Sequence, residues 1–363
     1  MNAIPQVEPW LSGTEAEALA RYLAGGGWLT EFRQTRAFEE AIARAAGVPH
    51  AVCVTSGTVA LCLALQAAGI GPGDRVLVPD YTMIATINAV LWCGAEPVLC
   101  DIDPETLCAD LRSLTPPPGC RALMYVEING RAGDLDGALE FCRRHGLVLI
   151  EDAAQAMGSR HRGRPLGGFG RAGIYSFTPH KIITTGQGGA VVTADAGLAA
   201  RVRQLKDFHR TAPGIDEHDG IGYNFKFTDL QAVVGLEQIR RLEERIERKK
   251  AVYRRYQEGL DGLEPVRLIP TDLEQNAPWF VEILLPDRAT RDALQEHLRA
   301  RGIGSRPFYP PIHTQPSHRQ YAVAPLPVSA DIAPRGLWLP SSMGLTDEQI
   351  DRVCRAVREF FAG

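Results

Sequence analysis

Short apolar runs rich in β-branched residues alternate with helical patterns through the first two thirds of the 363-residue chain. The predicted strands are Ala51–Val54, Arg75–Val78, Pro97–Cys100, Ala122–Val126, Leu147–Ile150, Gly173–Phe177 and Gly189–Thr193. The predicted helices between most of them are Thr58–Ala68, Thr82–Cys93, Asp134–His145 and Asp195–Lys206. Because parallel strands need crossovers that place helices on the sheet faces, this order predicts an α/β fold. We expect a mostly parallel seven-stranded sheet with helices on both faces.

The flanking segments have a different pattern. Helical patterns at Thr14–Ala24 and Thr35–Ala46 precede the first strand, and Leu230–Leu260 predicts one or two long helices. The final hundred residues or so combine several short elements and indicate a smaller α+β domain. These elements are a strand (Trp279–Leu285), a helix starting near Ala289, a proline-rich segment (Arg306–Pro316) and a helix from Thr346. We predict a large domain over residues 1–245 and a small one over 246–363.

Composition and charge indicate which kinds of partner and which cellular compartment to expect. The net charge is −4, and the one dense charged run, residues 240–250, alternates in sign, which is typical of a solvated helix face rather than a nucleic-acid surface. None of the eight cysteines forms a C-x-x-C pair, which favours a reducing, cytoplasmic location. No apolar run reaches the ~18 residues of a membrane span, the N-terminus lacks the pattern of a secretory signal, and we expect no metal site.

Three predicted strand ends carry residues suited to chemistry, and ligands of such sheets bind beyond the carboxyl ends of the strands. The first is Thr55-Ser56-Gly57-Thr58, directly before a helix. A helix N-terminus with small, hydroxyl-bearing residues suits a phosphate group, because its backbone N–H groups are free. The same residues also serve as an ordinary helix cap, so this segment alone leaves both interpretations open.

The second strand end carries Asp152 and the third leads to Lys181 before a glycine-rich turn. A carboxylate beyond a buried strand can pair with a protonated pyridine nitrogen, although Asp152 could equally cap a following helix. A desolvated lysine loses proton affinity and becomes nucleophilic toward an aldehyde, whereas a lone lysine is usually on the surface. The order of phosphate turn, aspartate and then serine plus lysine favours the functional interpretation.

A series of motifs resembles the DegT/DnrJ/EryC1/StrS sugar aminotransferases, a branch of the fold-type I pyridoxal-phosphate (PLP) enzymes. The resemblance covers nearly the whole chain. Its motifs are GWLT, SGT, GIGPGDRVLVPDYT, CGAEPVLCDID, EDAAQAMGS, SFTPHKIITTGQGG, GYNFKFTDLQA, RPFYPPIH and WLPSSMGLTDEQI.

The resemblance implies roles for individual residues. Lys181 would hold PLP as a Schiff base and move protons, and Asp152 would pair with the pyridinium nitrogen. Gln155 would contact the ring hydroxyl, while Ser56, Gly57, Thr58 and Ser176 would bind the phosphate. Asn224 would reach the cofactor of a second subunit, which implies a homodimer with shared active sites. The candidate substrate contacts are Lys226, Tyr309, His313, Asn129 and Arg131.

Several positions depart from the family pattern. Gln187 stands where a glutamate is frequent, Met83 where an aromatic ring commonly stacks on the cofactor, and Phe32 where glycine is frequent. Residues 127–131, EINGR, replace the common H-x-Y-G segment beside the substrate. None of these changes touches Asp152 or Lys181.

The resemblance also implies a reaction, in which L-glutamate donates its amino group and a keto sugar accepts it. We expect a nucleotide-linked 4-keto-6-deoxy hexose, as for the perosamine-synthase type. Asn129 and Arg131 motivate an alternative acceptor, a keto-cyclitol or a keto-octulosonate. A sugar dehydratase fits less well because that branch replaces the lysine by histidine, and a non-catalytic PLP-fold protein is the alternative from another class.

Overall fold

The computed structural model describes residues 3–112, 114–212, 214–322 and 324–363. Its strands are β1 (His50–Val54), β2 (Arg75–Pro79), β3 (Glu96–Cys100), β4 (Cys120–Val126), β5 (Val148–Asp152), β6 (Arg160–His161), β7 (Arg164–Pro165), β8 (Ala172–Ser176), β9 (Gly189–Thr193), β10 (Arg267–Leu268), β11 (Val281–Leu284), β12 (Arg306–Pro307) and β13 (Gly336–Leu339). Its helices are α1 (Thr14–Ala24), α2 (Arg33–Ala46), α3 (Gly57–Ala67), α4 (Ala85–Trp92), α5 (Leu135–His145), α6 (Ala196–Lys206), α7 (Asp229–Arg240), α8 (Leu242–Leu260), α9 (Arg288–Ala300), α10 (Pro327–Arg335) and α11 (Asp347–Ala362).

A seven-stranded sheet has the order β1-β9-β8-β5-β4-β2-β3. The neighbours from β8 to β3 are parallel, whereas β9 is antiparallel to both β1 and β8. The link from β8 to β9 contains no helix among the described residues, so the chain returns antiparallel instead of crossing over. The predicted α/β fold with a mostly parallel seven-stranded sheet is confirmed.

Both faces of this sheet are buried, because alternate residues of one strand enter different hydrophobic clusters. On β1, Ala51 and Cys53 pack with the α2 and α5 side, whereas Val52 and Val54 pack with α3 and α4. The strand ends that carry the polar residues described below are therefore held in place by apolar layers on both faces of the sheet.

The second sheet has four antiparallel strands in the order β10-β11-β13-β12. Helices α8, α9 and α11 pack against it through a core that includes Tyr253, Leu294 and Val353. The sequence pattern missed α10 and β13: α10 begins with Pro327 and contains Pro334, which weaken a helical signal. The predicted domain boundary at 245/246 falls inside α8 and stays a prediction. At the other end of the chain, Ile4 forms a bridge with Ile303, so the N-terminal segment contacts the part of the chain that holds the second sheet.

The charged run over residues 240–250 is not wholly the solvated face that its alternating signs indicate. Arg245 and Lys249 are buried on α8, on the same face as Ile246 and Tyr253. The prediction fails at these two positions because their charged ends have carbonyl partners inside the fold: Arg245 donates to Trp10 O, and Lys249 donates to the carbonyls of Trp279 and Ser341. Within the described ranges, the structure contains no helix that is both apolar enough and long enough to span a bilayer.

Candidate active site

The three strand ends singled out from the sequence lie at one edge of the large sheet. Gly189, the first residue of β9, pairs with Val54 of β1 on one side and with Ser176 of β8 on the other. Asp152, the last residue of β5, pairs with Ile174 of β8. The turn before α3, the buried aspartate and the segment leading to Lys181 are therefore neighbours.

Two glycines allow the turn before α3 to approach the end of β8 closely. A Cβ on Gly57 would lie 2.9 Å from the Cβ of Ser176 and 3.1 Å from its hydroxyl oxygen. A Cβ on Gly189 would lie 2.5 Å from the backbone of Ser56. The Ser56 hydroxyl accepts a hydrogen bond from Val59 N, at 3.2 Å, so it also caps α3. The turn thus combines a capped helix N-terminus with the hydroxyl group of Ser176, an arrangement that suits a phosphate.

Asp152 is a buried carboxylate held by two donors. The Thr86 hydroxyl of α4 donates to Oδ2 at 2.8 Å, and Ala154 N donates to Oδ1 at 3.2 Å. Burial raises the pKa of Asp152, whereas these hydrogen bonds and the charge of Lys181 lower it. Turn residues rather than a helix follow Asp152 in the described chain, which excludes the helix-cap interpretation at this position.

Lys181 lies on the loop after β8 with its amino group 3.9 Å from the centroid of the Trp279 ring. Burial lowers the pKa of Lys181 to about 7, an effect that the negative charge of Asp152 opposes. Burial, together with the charge of Lys181, also lowers the pKa of His180 to about 4. The site therefore contains a lysine that is present in both protonation states near neutral pH, beside a neutral imidazole.

Asn129 and Arg131 connect the large sheet to the second sheet, and Gln155 contacts Asn129. The Gln155 side-chain oxygen accepts a hydrogen bond from Asn129 N at 2.7 Å. Asn129 donates to the Phe280 carbonyl at 2.8 Å and accepts from Phe280 N at 2.6 Å. Arg131 forms a buried ion pair with Glu282 at 2.6 Å. These contacts give both side chains a structural role, and their substrate role stays a prediction.

Asn224 and Lys226 lie on the segment before α7. Asn224 is exposed, and its backbone bridges to Asp207. Lys226 bridges through its backbone to Val54 at the end of β1, and its amino group pairs with Asp207 at 2.5 Å. The roles of Asn224 toward a second subunit and of Lys226 toward the substrate stay predictions.

Tyr309 and His313 lie in the proline-rich segment, and Met83 lies just before α4. His313 contacts the buried Asp80 through its backbone N at 2.9 Å and its Nδ1 at 2.7 Å. The Tyr309 ring lies 4.7 Å from that of Trp338, and burial raises the pKa of its hydroxyl, to which the charge of Asp152 contributes. Met83 is exposed, and its sulfur accepts a hydrogen bond from Ala85 N at 3.0 Å. Their predicted contacts with cofactor or substrate remain predictions.

Sequence reasoning missed two residues that contact Asp152 or Lys181, namely Thr86 and Trp279. Thr86 lies near the start of α4, just beyond the end of β2, so the same rule of inspecting strand ends could have found it. Trp279 precedes β11 of the second sheet, and no local signal connects it with Lys181.

Comparisons with known proteins agree with this geometry. Residues 11–358 match the DegT/DnrJ/EryC1/StrS aminotransferase family. The chain is 37% identical to a GDP-perosamine synthase of Caulobacter vibrioides, covering 98% of this chain and 99% of the relative. It is 34% identical to DesV of S. venezuelae, solved in complex with a ketimine intermediate (TM-score 0.92, 99% of both chains). It is also 34% identical to DesI, solved in the presence of its TDP-sugar product (TM-score 0.90, 99% of this chain and 92% of DesI). This chain therefore belongs to the DegT/DnrJ/EryC1/StrS aminotransferase family.

Proposed function

We propose that this aminotransferase uses pyridoxal 5'-phosphate to move an amino group from L-glutamate to a keto sugar, a nucleotide-linked 4-keto-6-deoxy hexose. The observation that carries the proposal is the position of Lys181, whose charge interacts with that of the buried Asp152. Both lie at the sheet edge that also holds the turn before α3.

The residues at this edge fit PLP. The close approach of Gly57 to Ser176 leaves no room for a Cβ and brings hydroxyl and backbone donors together, as a phosphate requires. A buried carboxylate fits a pyridine nitrogen and a desolvated lysine fits an aldehyde. The residues that would hold the cofactor are Ser56, Gly57, Thr58, Ser176, Asp152, Gln155, Lys181 and Met83. When bound, PLP supplies an electron sink and carries the amino group.

The protein's own part in this chemistry is positioning and proton transfer. A pKa of about 7 makes both forms of Lys181 available near neutrality, so its amine can take the proton from Cα of the donor. The resulting ammonium would pass this proton to C4′ of the cofactor within the first half of the cycle, and in the second half the lysine would move a proton from C4′ to the acceptor carbon. Asp152, oriented by the Thr86 hydroxyl, would keep the pyridine nitrogen protonated.

The names of the relatives support the acceptor class. The Caulobacter protein is a GDP-perosamine synthase, and DesI was solved with a TDP-sugar product. Both names point to sugars carried on a nucleoside diphosphate. Asn129 and Arg131 were the reason to consider a free keto-cyclitol or keto-octulosonate as the acceptor. Asn129 donates to the Phe280 carbonyl and Arg131 pairs with Glu282, so no observation favours that acceptor.

We further propose a cytoplasmic homodimer in which Asn224 of one subunit reaches the cofactor of the other. Trp28, Leu29 and Ile221 are exposed apolar side chains. Asp229 ties the segment after Trp28 to α7, because its carboxylate accepts hydrogen bonds from the backbone of Phe32 and of residues 34 and 35. Large apolar side chains exposed at Trp28 and Leu29, next to this tied segment, support a subunit interface. All eight cysteines are free, which supports a reducing compartment.

The first experiment tests the cofactor and the donor. We expect purified protein with PLP to show the visible absorption of a lysine-bound cofactor, and L-glutamate to bleach it. The Lys181→Arg variant is the matched control and should show no such band. A band that L-glutamate leaves unchanged would exclude this donor, and the absence of any band would contradict the use of PLP.

The second experiment tests the acceptor. GDP- and dTDP-linked 4-keto-6-deoxy hexoses are offered with L-glutamate, and amine product is measured by mass spectrometry. We expect glutamate-dependent product with at least one of them. Product from unlinked ketones alone would replace the nucleotide-linked class by the free-ketone class.

A further inference from the structure

Trp279 reaches the active site from outside the large sheet. It lies just before β11 of the second sheet and 99 residues after His180 along the chain. Its indole N–H donates to the carbonyl of His180 at 2.9 Å, so it holds the backbone of the residue directly before Lys181.

Several contacts fix the Trp279 ring. The residue is buried, and its ring stacks on Phe280 at 3.8 Å and meets Trp338 edge-on at 6.1 Å. Its carbonyl accepts a hydrogen bond from the amino group of Lys249 at 2.6 Å. The ring is therefore preorganised by its own surroundings rather than by Lys181.

The amino group of Lys181 lies 3.9 Å from the centre of this ring. No hydrogen bond or ion pair to that amino group occurs among the described residues. The charge that acts on this amino group is that of Asp152, and the group in turn acts on the neighbouring His180, which Arg306 and Lys249 also affect. Asp152 raises the pKa of Lys181 through its charge, without direct contact. The π face is thus the direct contact that stabilises the ammonium form.

We propose that Trp279 is a positioning residue for Lys181, and that its ring face holds the lysine amino group whenever that group is not joined to the cofactor. The indole N–H fixes the backbone on which the lysine stands. The catalytic meaning of this inference rests on the proposed function, because a transaminase would release its lysine from the cofactor in the first half of the cycle and take it back only at the end of the second half.

The ring face and the N–H group can be separated by substitution. Trp279→Phe keeps a ring face and loses the N–H, whereas Trp279→Leu loses both and keeps the position apolar. A cation–π contact favours the ammonium, so losing the ring lowers the pKa of Lys181. We expect a decrease of about half a unit to one unit in Trp279→Leu and a value close to wild type in Trp279→Phe.

The measurement is competitive acetylation of the full-length chain without added cofactor, as a function of pH. The modified fraction of the Lys181 peptide is followed by mass spectrometry. Trp92→Leu, at an exposed tryptophan at the end of α4, is the control and should leave the midpoint unchanged. A midpoint that stays unchanged or rises in Trp279→Leu overturns the proposal.

Fluorinated tryptophan provides a test that does not depend on how Trp279→Leu folds. Increasing fluorination keeps the shape and the N–H of the side chain while it weakens the ring quadrupole that attracts cations. We expect the Lys181 midpoint to fall stepwise with the number of fluorine atoms. An unchanged midpoint across the series contradicts a role for the ring face.

A third readout separates this inference from the proposed function. In the enzyme loaded with PLP, we expect Trp279→Leu to lower kcat by about tenfold while the KM for L-glutamate changes less than twofold. A change in KM alone would overturn the positioning role. The acetylation experiments use neither substrate nor cofactor, so their outcome stands even where the transamination assay fails.

Discussion

Three lysines with buried or partly buried side chains have different environments: Lys206 and Lys249 are buried, and Lys181 is partly buried. Lys206 is paired with Glu31 at 2.9 Å and contacts Glu39 at 3.6 Å, so its charge is compensated. Lys249 donates to the carbonyls of Trp279 and Ser341, each at 2.6 Å, and lies 5.8 Å from the centroid of the Phe280 ring, with no ion pair among the described residues. Lys181 has an aromatic face and the more distant Asp152. A fully buried lysine without a carboxylate is rare, because desolvation of the ammonium is costly.

Lys249 predicts a pH dependence of stability. Burial lowers its pKa to about 7, well below its value in the unfolded chain, so unfolding binds a proton between about pH 7 and pH 10.5. Unfolding that takes up a proton becomes less favourable as pH rises, and stability therefore increases across this window. The free energy of unfolding of the native chain relative to Lys249→Met should rise by at most about 1.4 kcal/mol per pH unit. Chemical denaturation at pH 7 and pH 9 measures this difference.

The control for this experiment is the neighbouring Lys250, which pairs with Glu247 at 3.2 Å. Lys250→Met should give a difference that does not change with pH. A pH-independent difference for Lys249→Met would show that its two carbonyl partners keep the lysine charged throughout.

Asp152 predicts a loss of catalysis without a loss of fold. In Asp152→Asn the amide keeps the size of the side chain but carries no charge to hold the pyridine nitrogen protonated. We expect kcat for transamination to fall by at least about a hundredfold. Steady-state kinetics measures the loss, and a thermal unfolding midpoint close to that of the native chain shows that the site has not collapsed. A variant with near-native kcat would remove Asp152 from the proposed mechanism.

At the scale of elements, the site is a consequence of strand direction. Strands β1, β5 and β8 run the same way, so their last residues meet at one sheet edge, and β9 begins there because it runs the opposite way. Helix α3 starts at this edge with the Ser56 cap, which places its N-terminus against Ser176. The contact depends on the absence of a side chain at Gly57.

Gly57→Ala is therefore expected to weaken cofactor binding. The added methyl group would lie 2.9 Å from the Cβ of Ser176, so either the turn or β8 must shift. We expect the dissociation constant for PLP, from absorbance titration, to rise by about tenfold, since one or two phosphate hydrogen bonds would be misplaced. Gly71→Ala is the matched control, because its Cβ would meet only the Cys93 carbonyl at 3.7 Å. Equal affinities for both variants would contradict the phosphate role of this turn.

For the whole molecule, the contacts between the two sheets are polar as well as apolar. The segment after β4 reaches β11 and its preceding residues through Asn129 and Arg131. Glu282 also accepts a hydrogen bond from the indole of Trp338 at 3.3 Å, so the ion pair is part of a buried network. The Trp279 ring joins the same sheet to the loop that carries Lys181. The second sheet therefore contributes directly to the geometry of the site.

Removing one partner of the ion pair between Arg131 and Glu282 should destabilise the protein more than removing both partners. Arg131→Met leaves the buried carboxylate of Glu282 without a counter-charge, which we expect to cost about 3–5 kcal/mol. The double variant Arg131→Met, Glu282→Met should recover a large part of that loss, because no unpaired charge remains. Denaturant unfolding of both single variants and the double variant measures the coupling. If the double variant is no more stable than Arg131→Met, the attraction between Arg131 and Glu282 contributes more to stability than the desolvation of the two charges costs.

The sequence by itself determined the seven strands, their mostly parallel order and the three strand ends that form the site. This was possible because apolar periodicity is local, and parallel strands bring their carboxyl ends together regardless of which strands are neighbours. Ser56, Asp152 and Lys181 could be singled out for this reason alone. The family resemblance added the cofactor and the reaction, and the comparisons confirmed the family.

Only the tertiary structure decided which residues surround Asp152 and Lys181. Arg131 and Glu282 are separated by 151 positions, and Trp279 and His180 by 99, so no local pattern connects them. The substrate role of Asn129 and Arg131, expected from the departure at residues 127–131, stays a prediction, while the structure shows both side chains hydrogen-bonded to residues of the second sheet or just before it. A polar side chain next to a site takes its partner from whatever packs against it, and that is set by the meeting of distant segments.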